Sequence, residues 1–170
     1  MSEMKSFADF SRPFVVSAKK VFETMISPKF KAQRPSIKND SKSVYDISAS
    51  IGLAGEKNLG DSKVFYKSLL VLSFELNTYI KIANVMLGES YTEYNEEIQD
   101  VAGEITNMIM GNAKKDLVQM GYETNMAIPS IVFGKGHSIN YLPSTTVITI
   151  PIEIDQGVIC MDICYSEKEF

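Results

Sequence analysis

The sequence contains few of the residues that build metal, disulfide or nucleophile sites. Its 170 residues include two cysteines, one histidine and no tryptophan. Cys160 and Cys164 lie four residues apart in an apolar, alternating stretch, so both side chains are expected on the same face of a strand. We interpret them as reduced core cysteines. The alternative, a metal pair, needs two more ligands nearby, and the only histidine is His137; we predict no metal site on this chain.

An excess of basic residues is also absent. Lysines and arginines number 17 against 21 aspartates and glutamates, which gives a formal net charge of −4. Without a cationic excess the chain has little to bind the phosphates of nucleic acid or an anionic membrane. No run approaches the roughly 18 apolar residues that span a bilayer, and the first residues carry charges and Pro13 where a secretory segment needs an unbroken apolar stretch. We therefore expect a cytoplasmic protein that binds neither nucleic acid nor membrane.

The overall composition is that of an ordinary globular protein. Apolar residues make up 45% of it and charged residues 22%. A folded chain of this length buries roughly 70% of the surface that its extended form exposes, so the core needs no disulfide or metal. We predict a single domain over residues 1–170.

Periodicity of apolar residues predicts the order of helices and strands. Helices are predicted at 14–26, 77–87 and, as the longest element, about 92–120. Strands are predicted at 44–54, 64–75, 127–133, 145–154 and 158–165, with residues 27–43 a loop holding one short strand. Asn77 and Gly88 are the expected cap and stop of the second helix, and Ser90 with Glu93 fits a capping box for the third. This order predicts an α+β fold, an antiparallel sheet packed against helices.

The long helix has two different faces. At 100° per residue from Ile98, six apolar residues fall within about 60° of it: Val101, Ala102, Ile105, Ile109, Ala113 and Met120. Five residues lie between roughly 160° and 240°: Asp100, Glu104, Asn107, Gly111 and Lys114. A carboxylate and a carboxamide at i and i+3 thus project side by side. Such a pair is compatible with a solvated surface or with a functional site.

Two glycines interrupt this helix beside the polar face. Gly103 is close to Asn107, and Gly111 lies one turn further on. A glycine in a helix interior costs about 1 kcal/mol relative to alanine. Close approach of another surface would offset that cost.

Residues 100–114, DVAGEITNMIMGNAK, resemble the signature helix of the CheC, CheX and FliY chemotaxis phosphatases. That helix has an acidic or small polar residue, then ExxN, then a GNA-type segment. PFVVSAKKVFETMI from Pro13 resembles the first CheX helix, and IKIANVMLGES from Ile80 resembles the segment before the signature helix. Only one ExxN occurs, as in CheX, whereas a CheC-like chain usually carries two. The family pattern places a proline some twenty residues past the asparagine, near Pro129.

The resemblance implies a bacterial two-component signalling enzyme, a hydrolase of the aspartyl phosphate on a CheY-type response regulator. It implies that Asn107 positions the attacking water, and that Glu104 forms a salt bridge with a lysine of the receiver. Asp100, Gly103 and Gly111 become expected partner-binding positions. The chain would need no cofactor of its own, because the receiver carries the magnesium, and CheX relatives form homodimers through their sheets.

The sequence lacks the machinery of a self-contained phosphatase. It has no Cys-x5-Arg loop, no Walker glycine loop and no cluster of histidines and carboxylates for two metals. An acyl phosphate bound beside the receiver's own magnesium needs fewer catalytic groups from a partner protein, because the metal and receiver side chains handle most of the charge on the transferring group. Two alternatives stay open: a non-catalytic receiver-binding or flagellar-switch-like module, and a purely structural or dimerisation protein. The pair of Asn107 with Glu104 favours catalysis over the first alternative. Dimerisation would be compatible with both the phosphatase and the structural interpretation and decides neither.

Overall fold

The computed structural model describes residues 2–43 and 45–169. Val44, the predicted start of the first long strand, lies outside the described residues, as do Met1 and Phe170 at the ends of the predicted domain. The helices are α1 Ser2–Met25, α2 Leu76–Leu87 and α3 Val101–Gln119. The strands are β1 Lys31–Ala32, β2 Ser36–Lys38, β3 Ile47–Asn58, β4 Lys63–Phe74, β5 Tyr122–Met126, β6 Ser130–Phe133, β7 Val147–Ile154 and β8 Gly157–Glu169.

These strands form one eight-stranded sheet. Its order is β1-β7-β8-β4-β3-β5, with β2 also paired to β7 and β6 also paired to β3. Every pairing is antiparallel. The structure confirms the predicted α+β fold and the predicted hairpin, now β3 and β4. It adds β5, which was not predicted, and gives two short strands between α1 and β3 where one was expected.

The core lies between the sheet and the helices α1 and α3. Alternate side chains of the central strands point into it and are buried, among them Ile51, Leu70 and Met161. Phe10 of α1 packs among four other rings, with centroid distances from 4.5 to 5.7 Å: Phe14, Tyr66, Tyr122 and Tyr165. These aromatic contacts fix α1 across the sheet.

Helix α1 begins at Ser2, earlier than predicted. Pro13 therefore lies inside the helix and not at its start. An interior proline removes a backbone hydrogen bond and costs about 3 kcal/mol. Phe7 and Phe10 continue the apolar face of the helix on the other side of Pro13 and are buried. Burying two such side chains contributes about 1.5–3 kcal/mol each, which is enough to offset the proline.

Helix α2 begins at Leu76, so the prediction of Asn77 as its cap was wrong. The Leu76 N–H donates to Asp46 Oδ2 at 3.0 Å, and this acceptor comes from the segment that precedes β3. Gly88 ends the helix with a left-handed φ of 66°, which confirms the predicted stop.

The opposite face of the sheet is partly covered by the loop between β6 and β7. His137 holds this loop, with Nδ1 2.6 Å from the Gly134 oxygen and Nε2 2.7 Å from Ser48 Oγ. Cys160 and Cys164 both lie on β8, and burial raises the pKa of each thiol. Across residues 2–43 and 45–169, no three histidine, cysteine or acidic side chains are placed to hold a metal ion. Over the same ranges, no helix is both long and apolar enough to cross a membrane.

Candidate functional site

The helix that carries the candidate site is shorter than its predicted span of 92–120. It runs from Val101 to Gln119, so Ser90 and Glu93 do not form its capping box. The segment before it is held out of helical conformation by side chains. The Asn84 carboxamide bonds both the N–H and the carbonyl of Tyr91, at 2.8 and 2.9 Å. Such side-chain bonds satisfy backbone groups that would otherwise enter the helix.

A tyrosine from α2 fixes the first turn of α3. Asp100 precedes the helix but makes no side-chain cap. Instead, the Ala102 N–H donates to Tyr79 Oη at 3.0 Å, and that hydroxyl donates to the Ile98 oxygen at 2.5 Å. Tyr79 is fully buried, and burial raises the pKa of its hydroxyl. Tyr79 therefore acts as a cap supplied by a neighbouring helix.

The inner side of α3 is fixed by α1 and the core. Ser17 of α1 donates its hydroxyl to the Ile109 oxygen at 2.6 Å, in a buried contact. Ile105, Ile109 and Ala113 are fully buried, as the apolar stripe predicts. Met120, which was predicted to belong to the stripe, follows the end of the helix and is exposed. The helix thus has one immobilised side and one free side.

The free side carries the predicted pair. Glu104 and Asn107 are both exposed, and Asp100, Gly111 and Lys114 are exposed along the same side. Within the part of the chain that the structure describes, neither the Glu104 carboxylate nor the Asn107 carboxamide has a side-chain hydrogen bond or ion pair. Both groups are free to bind something outside this chain.

The two glycines of α3 occupy different environments. Gly103 is buried, and a Cβ built on it would lie 3.2 Å from Ile131 Cδ1 and 3.8 Å from Pro129 Cβ. The close approach at Gly103, predicted to come from a partner, is therefore made by the chain's own β6 segment. Gly111 is exposed, and a Cβ there would meet nothing within 4 Å. Only Gly111 lacks an internal reason for having no side chain.

Comparison with known proteins identifies the family. The sequence profile described as Chemotaxis phosphatase CheX matches residues 47–153, a range that contains all of α2 and α3. The chain belongs to the CheX family. A search of curated proteins gives no match.

Solved structures of CheX-like proteins share the fold. A CheC-like superfamily protein from Shewanella sp. PV-4 is 35% identical with a TM-score of 0.80, over 93% of this chain and 97% of that chain. CheX from Vibrio vulnificus is 34% identical with a TM-score of 0.78, over 93% of this chain and 99% of that chain. A CheX–CheY–BeF3–Mg2+ complex from Borrelia burgdorferi matches at 20% identity and a TM-score of 0.76, over 92% of this chain and 97% of that chain. The predicted family is thereby confirmed.

Sequence patterns did not reveal the residues that position this CheX-like helix. Tyr79 falls within the apolar periodicity of α2, so nothing in its spacing marks its hydroxyl as a cap for α3. Ser17 is a small residue on the buried face of α1, and only the packed structure shows its bond to Ile109. Both contacts join segments that are distant in sequence.

Proposed function

We propose that this chain hydrolyses the aspartyl phosphate of a phosphorylated CheY-type response regulator. The observation that carries the proposal is the exposed, unpartnered pair Glu104 and Asn107 in a chain of a chemotaxis phosphatase family. The helix that presents this pair is held on its opposite side by α1 and the core. The Borrelia burgdorferi CheX that is named in complex with CheY, BeF3 and Mg2+ supports a CheY-type receiver as the partner.

The reaction needs one correctly placed water. Its oxygen attacks phosphorus, the bond from phosphorus to the aspartyl oxygen breaks, and the products are the receiver carboxylate and inorganic phosphate, which keeps both water hydrogens. A carboxylate, with an ordinary pKa of about 4, leaves without being protonated. Magnesium on the receiver supplies charge neutralisation of the phosphoryl oxygens. This chain therefore need not supply a general acid or a metal site.

Asn107 is the proposed water-positioning residue. Its carboxamide offers both a hydrogen-bond acceptor and donors, so it can hold a water with a lone pair directed at phosphorus. Being neutral, it avoids the repulsion that a carboxylate would meet near the phosphoryl oxygens. Placement of the nucleophile is a large part of catalysis in such reactions.

Glu104 is the proposed docking residue. It lies one turn before Asn107 on the same exposed side of α3. A salt bridge to a lysine of the receiver would place Asn107 over the phosphoryl group. Such a charge-assisted contact gains strength when the interface excludes water.

The test is the decay of a CheY-type receiver phosphorylated with acetyl phosphate, measured against receiver concentration. We expect Asn107→Ala to lower the saturated rate on the order of a hundredfold, because the attacking water is no longer positioned. Each tenfold in rate corresponds to about 1.4 kcal/mol of activation barrier. Its affinity for the receiver should be retained. Glu104→Gln should raise the half-saturating receiver concentration as well as lower the rate. Gln119→Ala, which removes another exposed carboxamide of α3, is the matched control.

The same assay separates catalysis from binding alone. A non-catalytic receiver-binding or flagellar-switch-like module would leave the receiver's own decay unchanged with or without this chain. Wild-type decay rates in Asn107→Ala would refute the water-positioning role. Unchanged affinity in Glu104→Gln would refute the pairing with the receiver lysine.

We further propose that the chain acts as a homodimer in the cytoplasm, where CheY-type receivers are found. The family resemblance supports the dimer, and β5 offers a sheet edge along which a second copy can pair. Sedimentation equilibrium at the mass of one chain, 19.0 kDa, would contradict it.

A further inference from the structure

A groove of about 530 Å³ runs between α1 and α3, beside the exposed face that carries Asn107. Its lining includes two lysines, three apolar side chains and one glycine, beside the neutral polar Thr24 and Asn112: Lys20, Lys115, Val21, Met25, Met108 and Gly111. Val21 is buried, Met108 is half-buried and Met25 is exposed, so the groove has an apolar lining open to solvent. Both lysines are exposed.

Gly111 lines this groove one helical turn after Asn107. Every other residue except proline is a better helix former than glycine, and a Cβ at Gly111 would meet no atom of the described residues within 4 Å. The internal contacts that explain Gly103 are therefore missing at Gly111. A surface from outside the chain is the remaining reason for the absence of a side chain.

The charged side chains that line the groove are both basic. Lys115 belongs to α3, and the exposed carboxylates of Asp100 and Glu104 lie at the start of that helix. Lys20 adds a further ammonium from α1. A receiver surface that presents a lysine to Glu104 and carboxylates to the groove would match the charges at both places. These carboxylates would be other than the ones that hold the receiver's magnesium, because a carboxylate bound to the metal is already neutralised.

We propose that this groove is a second docking site for the phosphorylated receiver. It takes an apolar side chain from an acidic loop beside the receiver's phosphorylated aspartate, while Lys20 and Lys115 pair with carboxylates of that loop. The inference rests on the proposed function, and it assigns the groove to receiver affinity and orientation, whereas Asn107 acts on the water.

Charge reversal tests the basic part of the groove. The variant Lys20→Glu with Lys115→Glu is compared with Lys67→Glu with Lys81→Glu, which makes the same change of net charge at exposed positions outside the groove. In the decay assay we expect the groove pair to raise the half-saturating receiver concentration at least fivefold, and to reduce its dependence on salt. The control pair should stay within twofold of wild type.

Filling the groove tests its apolar part. We expect Gly111→Leu to raise the half-saturating concentration about tenfold while thermal stability stays the same or rises, because leucine is a good helix former. Loss of affinity together with gain of stability would show that the glycine serves a partner. Wild-type affinity in Gly111→Leu would overturn the proposal.

Direct binding of a beryllofluoride-loaded CheY-type receiver distinguishes the two proposals. If Asn107→Ala is inactive while the groove variants bind like the control pair, the groove proposal is overturned and the proposed function stands. If the wild-type chain binds through the groove but accelerates no decay, the proposed function fails and the groove stands. If it neither binds nor accelerates decay, both fail.

Discussion

The substitution Tyr79→Phe removes one hydroxyl and tests how α3 is positioned. The hydroxyl accepts the Ala102 N–H at 3.0 Å and donates to the Ile98 oxygen at 2.5 Å. Ala102 is fully buried, so its N–H would lose its partner without gaining water. The Ile98 oxygen would keep the Val101 N–H, 3.2 Å away.

The expected loss follows from these two bonds. A buried donor left without a partner costs about 1–3 kcal/mol, and a lost bond to an acceptor that keeps another partner costs about 1 kcal/mol. We therefore expect Tyr79→Phe to lower the free energy of unfolding by about 2–4 kcal/mol. For a chain of this size that lowers Tm by roughly 4–16 °C.

Urea unfolding followed by circular dichroism measures this loss, and hydrogen exchange localises it. The Ala102 amide should exchange faster, because its only capping partner is gone. Tyr91→Phe is the control, since the Tyr91 hydroxyl bonds Glu97 at the surface, and removal should change stability by less than about 0.5 kcal/mol. Equal stability of the two variants, with a protected Ala102 amide in both, would refute the capping role of Tyr79.

Two further predictions concern the sheet and the buried tyrosines. Gly55→Ala should destabilise the fold by about 3 kcal/mol, because the new Cβ would lie 1.7 Å from the Glu123 oxygen. The control is Gly52→Ala, whose Cβ has its nearest contact 3.9 Å away and should cost less than about 1 kcal/mol. Equal denaturation midpoints of the two variants would contradict this prediction. Burial raises the pKa of Tyr79, Tyr141 and Tyr165 above the ordinary 10.0, so the folded chain keeps protons that the unfolded chain loses. The contribution of these tyrosines to the free energy of unfolding should be fully present below about pH 10 and fall above that pH by about 1.4 kcal/mol per pH unit for each tyrosine. A urea midpoint that stays constant up to about pH 11.5 would refute this prediction.

Local pattern was sufficient to predict the elements whose ends are set by nearby residues. In the β3–β4 hairpin the first strand partly alternates, the second is rich in strand formers, and a polar turn separates them. Gly88 ends α2 through its own backbone conformation. The exposed face of α3 followed from helical period, since the apolar residues on the other side are buried as far as Ala113. These features depend on residues within a few positions of one another.

The starts of α2 and α3 could not be predicted in this way. Their caps, Asp46 and Tyr79, come from other segments, so the nearby cap-like residues Asn77 and Ser90 were misleading. Pro13 misled for a related reason. Its cost inside α1 is local, but the burial of aromatic side chains that offsets it depends on the sheet.

The sequence also could not separate the two glycines of α3. Both interrupt one helix next to its polar face, and both carry the same helix-propensity cost. The difference arises because β6 lies on one side of Asn107 and leaves the other side open toward α1. Only the arrangement of β6 and α1 shows that Gly103 serves the fold and that Gly111 is free to serve a partner.

This arrangement links the stability of α3 to the proposed chemistry. A residue that only orients a water contributes through its position, and a displacement of about 1 Å can cost a hundredfold in rate. Asn107 has no side-chain partner of its own among the described residues, so its position depends on the backbone of α3, which Tyr79 and Ser17 hold. Tyr79→Phe should therefore lower the saturated rate together with stability, whereas Asn107→Ala should lower the rate at unchanged stability. A Tyr79→Phe protein with full activity would show that the first turn of α3 does not set the position of Asn107.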